Sequence, residues 1–526
     1  MDKNNKSTQT GNVVLVFVAM AMGVLIGLMF ANNGNRSHRQ NAEQSKLSEA
    51  LQLVEESYVD PVDADSLTGL MIASMLNVLD PHSSYLDARE TQHADEMMRG
   101  NFEGVGLVLH REGDTSFIGQ VMADGPSAGS GLLPGDLILT VDGDTVSGMG
   151  MSADSVVARL RGPRRSTVNI CVQRMLTTKH FTIRRGVVEH RSLPLSTMID
   201  DTTGYIKLTS FSQTSHAEFR QALRQLKTNG IRHLIFDLRG NGGGSLSSAI
   251  GIAGELLPHG SLIVYTQGAH AARHDIRARS GGLYTTGRVT VLIDENSASA
   301  SEVVSGALQD NDRATVVGRR SFGKGLVQTE FSLRDGSSIL LTTARYYTPS
   351  GRCIQRPYAD GTEEYYRSYV QQLIDEHYTD TTSEDTTRYY TVGHRIVHGG
   401  GGITPDIILP YSKDSTNIYY NQLLSAGVIN RAAFDYVKQH AAELLQRYST
   451  ADQFCRSFTV GEELINNVVS RGQQAGIGRN NHSLNTRRRL IANTLKAYIG
   501  QSLYGDSTLY RIIMQDDEDL KKIITP

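Results

Sequence analysis

From Ile231 to Leu238 the chain reads IRHLIFDL, a short apolar run that breaks after Arg239 into Gly240-Asn241-Gly242-Gly243-Gly244. A helical pattern over 216–228 precedes it and another follows the glycines. The arrangement then recurs: the strand RVTVLIDE (288–295) feeds a helix over 300–309. Apolar strands alternating with amphipathic helices read as an α/β core. Two further alternating runs, LVQTEFSL (326–333) and SSILLTTARYY (337–347), meet at Asp335-Gly336, a strong hairpin signal. The 51 glycines, about a tenth of the 526 residues, exceed the usual ~7% and fit loops whose backbone does the work.

Around this core the character of the chain changes. Val13–Ala31 carries no charge and, as a helix, would span about 28 Å, close to the thickness of a bilayer's hydrocarbon layer. It lacks a clear small-residue cleavage site, so the preferred reading is an uncleaved signal anchor over a cleaved signal. Lys3 and Lys6 before it and Arg36 and Arg39 after it set orientation only weakly. Residues 1–12 precede this anchor and 32–44 form a polar linker. Residues 45–100 read as a small helical region, with Leu67, Leu70, Met71, Met75 and Val78 at helical spacing. From 101 to 186 short strands and glycine turns take over, including GVGLVL (104–109), SFIGQV (116–121) and LILTV (137–141). The α/β part occupies 187–410, and a helical extension fills 411–526. With 52 basic against 55 acidic residues the chain has no basic excess to suggest a nucleic-acid partner. Three scattered cysteines, Cys171, Cys353 and Cys455, make neither a disulfide scaffold nor a structural zinc site.

Several motifs offer chemistry, each beside a plainer reading. The loop 240–244 presents backbone N–H groups before a helix; it is a tight turn or an oxyanion hole, and Ser245 spoils a dinucleotide fingerprint. Gly318 to Lys324 nearly spells a phosphate-binding loop, but Gly325 stands where a magnesium-binding Ser or Thr belongs. Ser321-x-x-Lys324 lacks the companion motifs of penicillin-recognising enzymes. His394 and His398 lack the glutamate of a zinc protease helix. In Asn296-Ser-Ala-Ser-Ala-Ser-Glu302, Ser299 is either a nucleophile exposed at a strand-to-helix turn or the start of a Ser299-x-x-Glu302 capping box. Lys324, flanked by Gly323 and Gly325, can act as a base only if burial away from carboxylates brings its pKa down.

Taken together, SASASE (297–302), SFGKGLVQ (321–328), DLRGNGGG (237–244) and YYTPSGRCIQ (346–355) resemble the C-terminal processing peptidases, the tail-specific serine proteases of family S41. YVDP (58–61) and LDPHSSYL (79–86) resemble that family's N-terminal region, while FEGVGLVL and GLLPGDLILTVDG resemble its inserted PDZ domain. The resemblance covers roughly residues 45–410. It implies a multidomain fold with a ClpP/crotonase-like α/β protease core and an inserted PDZ domain built as a partly open β-barrel, to which the chain's own patterns add the N-terminal transmembrane helix and the helical C-terminal extension. It implies a serine–lysine dyad of Ser299 and Lys324, with Gln328 orienting the lysine and an oxyanion hole on the N–H groups of Ala300 and Gly243. Where many members have Asn-Pro-Gly-Gly, this chain has Asn-Gly-Gly-Gly. No metal or cofactor is implied. Gly104, Val105, Gly106 and Leu107 would take the free C-terminus of a protein substrate, which adds as a β-strand. The expected setting is a bacterial inner membrane, crossed once, with the catalytic part in the periplasm; homo-oligomerisation is compatible with this. The competing class is a membrane-anchored PDZ adaptor with an inactive protease body.

Overall fold

The computed structural model describes residues 45–279, 281–374, 387–410 and 416–524. The anchor expected at Val13–Ala31 lies outside them, and no helix among the described residues is long and apolar enough to cross a membrane. The chain forms two compact units, Met1–Leu76 and Asn77–Pro526. The first contains a helix over 45–57 and most of the helix Ala64–Leu79, on which Leu70 and Met75 are exposed rather than buried as their spacing suggests.

The second unit is a mixed α/β structure. Its central sheet runs in the order Leu195–Met198, Thr203–Lys207, His233–Asp237, Arg288–Ile293, Thr315–Gly318, Ile407–Ile408. Only the first pair is antiparallel; every later pair is parallel. Buried parallel strands are continuous apolar runs, which is why the run inside Ile231–Leu238 is so uniform. The helices Ser215–Thr228, Leu246–Leu256 and Ala300–Asp310 bury their apolar faces in the same core, and Ala300–Asp310 is buried on every side. A second sheet holds the predicted hairpin, Leu326–Ser332 with Ser338–Tyr347. Ser84–Leu86 is a third strand of this sheet, paired with Ser338–Leu340. Leu262–Gly268 and Ala271–Arg277 complete this sheet.

The region expected to be a PDZ domain holds an antiparallel sheet ordered Leu107–Glu112, Thr115–Val121, Leu137–Val141, Thr167–Arg174, Thr177–Arg184, with the helix Ala153–Leu160 over one face. The expected strand at 104–109 is two pieces: Asn101–Gly104 pairs with Gly186–Glu189, and Leu107 begins a separate edge strand. Gly106, at φ 74°, makes the break, and a Cβ there would come within 2.9 Å of Gly125 Cα. The extension is a set of helices with their own core, from Thr416–Ser425 to Glu518–Ile524.

Candidate active site

Three successive parallel strands deliver the site. His233–Asp237, Arg288–Ile293 and Thr315–Gly318 end side by side, and the segments that leave their C-terminal ends carry Gly240–Gly244, Ser299 and Lys324. This is where open α/β sheets place ligands. The first two segments are stitched together by short-range polar contacts. Gly240 N–H donates to Asp294 Oδ1 at 2.8 Å, Ala298 N–H to the Asn241 carbonyl at 3.0 Å, and Ser301 Oγ to the same carbonyl at 2.8 Å.

Ser299 sits at φ 55°, ψ −111°, a conformation seldom tolerated by a residue with a side chain. It immediately precedes the helix Ala300–Asp310, so the Ala300 N–H is one of the donors a helix leaves without an internal partner. Gly243 lies against this corner: a Cβ on it would stand 2.8 Å from both Ala298 O and Ser299 Cβ and 3.0 Å from Ala300 N. The Gly243 N–H is itself engaged, donating to Asn241 Oδ1 at 2.9 Å, while buried Asn241 anchors its own Nδ2 on Leu208 O.

The capping box read from Ser299 and Glu302 is only half of what Glu302 does. Its Oε2 accepts Ser299 N–H at 2.8 Å and Lys324 N–H at 2.9 Å; its Oε1 accepts Ser321 Oγ at 2.6 Å and Gly323 N–H at 2.7 Å. The Glu302 N–H goes to the Ser299 backbone carbonyl at 2.8 Å. Burial of this carboxyl, fully enclosed, pushes it up to about 7, and its four donors oppose a larger rise. On the opposite side the buried Tyr346 hydroxyl reaches the carbonyls of Ser299, at 3.2 Å, and of Lys324. Lys324 is thus tied to Ser299 through both its N–H and its carbonyl.

The Lys324 amine donates to Gln328 Oε1 at 2.8 Å and makes no ion pair among the described residues. Burial lowers its pKa, while the charges of Glu302 and Asp80 oppose the fall. Gln328 Nε2 donates to the backbone carbonyl of His82, which leaves its oxygen for the amine. Asp80 shapes that turn by accepting His82 N–H, Ser83 N–H and Ser83 Oγ. The His82 ring contacts Tyr365 Oη at 3.0 Å, and burial, with a charge on Lys324 acting in the same direction, brings it down to about 4, so the ring is neutral near pH 7. Glycine is required on both sides of the lysine: a Cβ at Gly323 would meet Gly401 at 3.0 Å, and one at Gly325 would meet Gln355 N at 2.9 Å.

Ser299, Lys324, Gln328, Gly243 and Ala300 therefore share one neighbourhood. Gly104, Val105, Gly106 and Leu107 do not belong to it; they lie at the start of the PDZ edge strand. Glu302, Tyr346, Asp80 and the His82 carbonyl are site residues that sequence reasoning misses. Only Glu302 carries a signal there, as a helix cap.

The family model for peptidase family S41 matches residues 202–364, that for the PDZ domain 117–174, and that for the N-terminal domain of the activating protease CtpB 27–91. A family of unknown function, DUF8443, matches 419–505. A carboxy-terminal-processing protease of Bartonella bacilliformis is 33% identical over 65% of this chain and 78% of its own. A carboxyl-terminal-processing protease of Synechocystis sp. is 34% identical over 65% of this chain and 85% of its own. Among solved structures, a photosystem II D1 C-terminal processing protease aligns over 70% of this chain and 93% of its own at 26% identity, with a TM-score of 0.37. By sequence, this chain belongs to peptidase family S41, among the carboxy-terminal processing proteases that carry a PDZ domain.

Proposed function

We propose that the chain is a serine endopeptidase in which Ser299 is the nucleophile and neutral Lys324 the general base. The observation that carries this reading is the lysine amine: half-buried, with its pKa lowered, bonded to an amide oxygen rather than a carboxylate, and tied by its backbone to the serine. Lys324 takes the Ser299 proton as Oγ attacks a peptide carbonyl. The resulting ammonium then protonates the leaving amine, and water releases the acyl-enzyme by the same base. The oxyanion is received by Ala300 N–H and by Gly243 N–H, the latter exchanging Asn241 Oδ1 for the substrate oxygen. Gln328 keeps the amine aimed while it changes charge.

The PDZ domain supplies the substrate. Leu107–Glu112 is an edge strand paired on one side only, so its other side offers backbone groups to an incoming tail. The carboxylate of a protein's free C-terminus docks at the Gly104–Leu107 turn, which raises the local concentration of that tail near the serine. The apolar run Val13–Ala31 supports activity at a membrane. The test is cleavage of an unstructured protein with an apolar tail. Wild type should cleave it, Ser299→Ala should not, and amidation of the tail should weaken binding. Equal turnover by wild type and Ser299→Ala would remove the serine from the mechanism.

A further inference from the structure

The helical extension, whose residues 419–505 match a family of unknown function, touches both halves of the machine. On the PDZ side its helix Val428–Arg447 reaches side chains of the edge strand Leu107–Glu112 and of its neighbour Thr115–Val121. The Phe434 ring packs on His110, centroids 3.9 Å apart, and stands edge-on to Phe117 at 6.1 Å. Lys438 holds both oxygens of Glu112 at 2.8 Å and passes over the Phe117 ring. Contact is close enough that a Cβ on Gly135 would stand 2.6 Å from Lys438 Cα.

On the protease side Asp517 takes Arg239 through two hydrogen bonds, at 2.5 and 3.2 Å. Asp519 lies 3.7 Å from the same guanidinium and 3.2 Å from that of Arg319. Arg239 is the residue from which the Gly240–Gly244 loop springs, and Arg319 opens the segment leading to Lys324. Leu520 anchors this end by burying itself among Leu195, Tyr205, Ile235 and Val317 of the central sheet. The two grips are mechanically joined. Ile429 and Val437 share one core with Leu495, Ile499 and Ile512, so the PDZ-facing helix and the segment leading to the acidic residues are packed in one close-packed body.

We propose that the extension is an internal strap that holds the PDZ domain and the root of the oxyanion loop in one working geometry, with Asp517 and Asp519 as positioning residues and Phe434 and Lys438 as the PDZ grip. This rests on the Ser299–Lys324 reading above. Two separable effects follow. Loosening the acidic grip lets the oxyanion loop drift, which costs turnover of every substrate. Loosening the PDZ grip dilutes a bound tail away from the serine, which costs only substrates that use the PDZ domain.

The experiment compares full-length variants on two substrates, an unstructured protein with a free apolar tail and a short C-terminally amidated peptide, at a temperature where thermal unfolding shows each variant folded. Asp517→Asn with Asp519→Asn removes both charges, yet the amide introduced by Asp517→Asn keeps an oxygen for the Leu520 N–H that Asp517 caps at 2.9 Å. The kcat of this double variant should fall about tenfold on both substrates with KM unchanged, and Asp517→Glu alone should stay within about twofold of wild type. Phe434→Ala with Lys438→Ala should lower kcat/KM about tenfold for the tailed protein and leave the peptide unchanged. The strap is refuted if the acidic pair keeps wild-type kcat, or if the PDZ-grip pair affects both substrates equally. Ser299→Ala run alongside separates the failures: activity there sinks the dyad, whereas an inactive Ser299→Ala with unaffected strap variants sinks the strap alone.

Discussion

The backbone N–H groups of Ser299 and Lys324 end on the same oxygen of one buried carboxylate, Glu302 Oε2. A residue read from sequence as a helix cap is therefore the hub that sets the serine's peptide against the lysine's. Glu302→Gln can satisfy one pair of its four donors but presents an NH2 group to the other. Its kcat should fall by about 10²-fold, read in a peptidase assay beside wild type.

The same carboxyl predicts a pH dependence of stability. Its folded pKa, about 7, lies above the ordinary value of 4.5, so between these values the folded chain holds a proton that the unfolded chain has lost. Its contribution is complete below about 4.5 and is lost as pH rises towards 7, an effect of about 3 kcal/mol by linkage. Chemical denaturation across that window should show this decline in wild type and a flatter profile in Glu302→Gln.

Gln328 decides what kind of oxygen the lysine meets. Replacing it by glutamate puts an anion where an amide now lies 2.8 Å from the amine, favouring the ammonium. The rising limb of the pH–kcat/KM profile should move to higher pH by about one unit or more in Gln328→Glu. An unmoved limb would mean that Lys324 is not the titrating base.

The Tyr346 hydroxyl binds the carbonyls of both Ser299 and Lys324, and no other group repeats that bridge among the described residues. Tyr346→Phe keeps the buried ring and loses the bridge. Turnover should drop about tenfold while stability falls by only about 1 kcal/mol, measured by kinetics and thermal unfolding of the same preparation.

Gly243 has no room for a side chain. Its φ of 103° and the 2.8 Å that would separate an added methyl from Ser299 Cβ mean that Gly243→Ala must displace the corner that carries Ser299. Loss of detectable cleavage is expected, with destabilisation of about 1–3 kcal/mol in denaturant unfolding.

What is legible in the chain alone follows from the range of the interactions involved. The strands and helices around Ser299, and the hairpin that turns at Asp335-Gly336, are local patterns of burial and turn chemistry, and they lie within a residue or two of where periodicity puts them. The break after Gly104 escapes because an apolar run does not show that its first residues pair with Gly186–Glu189 instead of continuing into Leu107. The Gln328–His82 bond spans 246 residues and the Arg239–Asp517 pair 278, and no local spacing encodes either. The Glu302 hub is half legible, since its bond to the Ser299 N–H is local and its bonds to Gly323 and Lys324 are not.

The pairing of Ser84–Leu86 with Ser338–Leu340 has a further consequence for the order of events during synthesis. The PDZ sheet ends with Thr177–Arg184 and can be complete while the remainder is still on the ribosome. The Ser299–Lys324 neighbourhood must wait for the hairpin to return to the early turn at Asp80–Ser83. On the proposed reading, a nascent molecule would be able to recognise tails well before it could cut them.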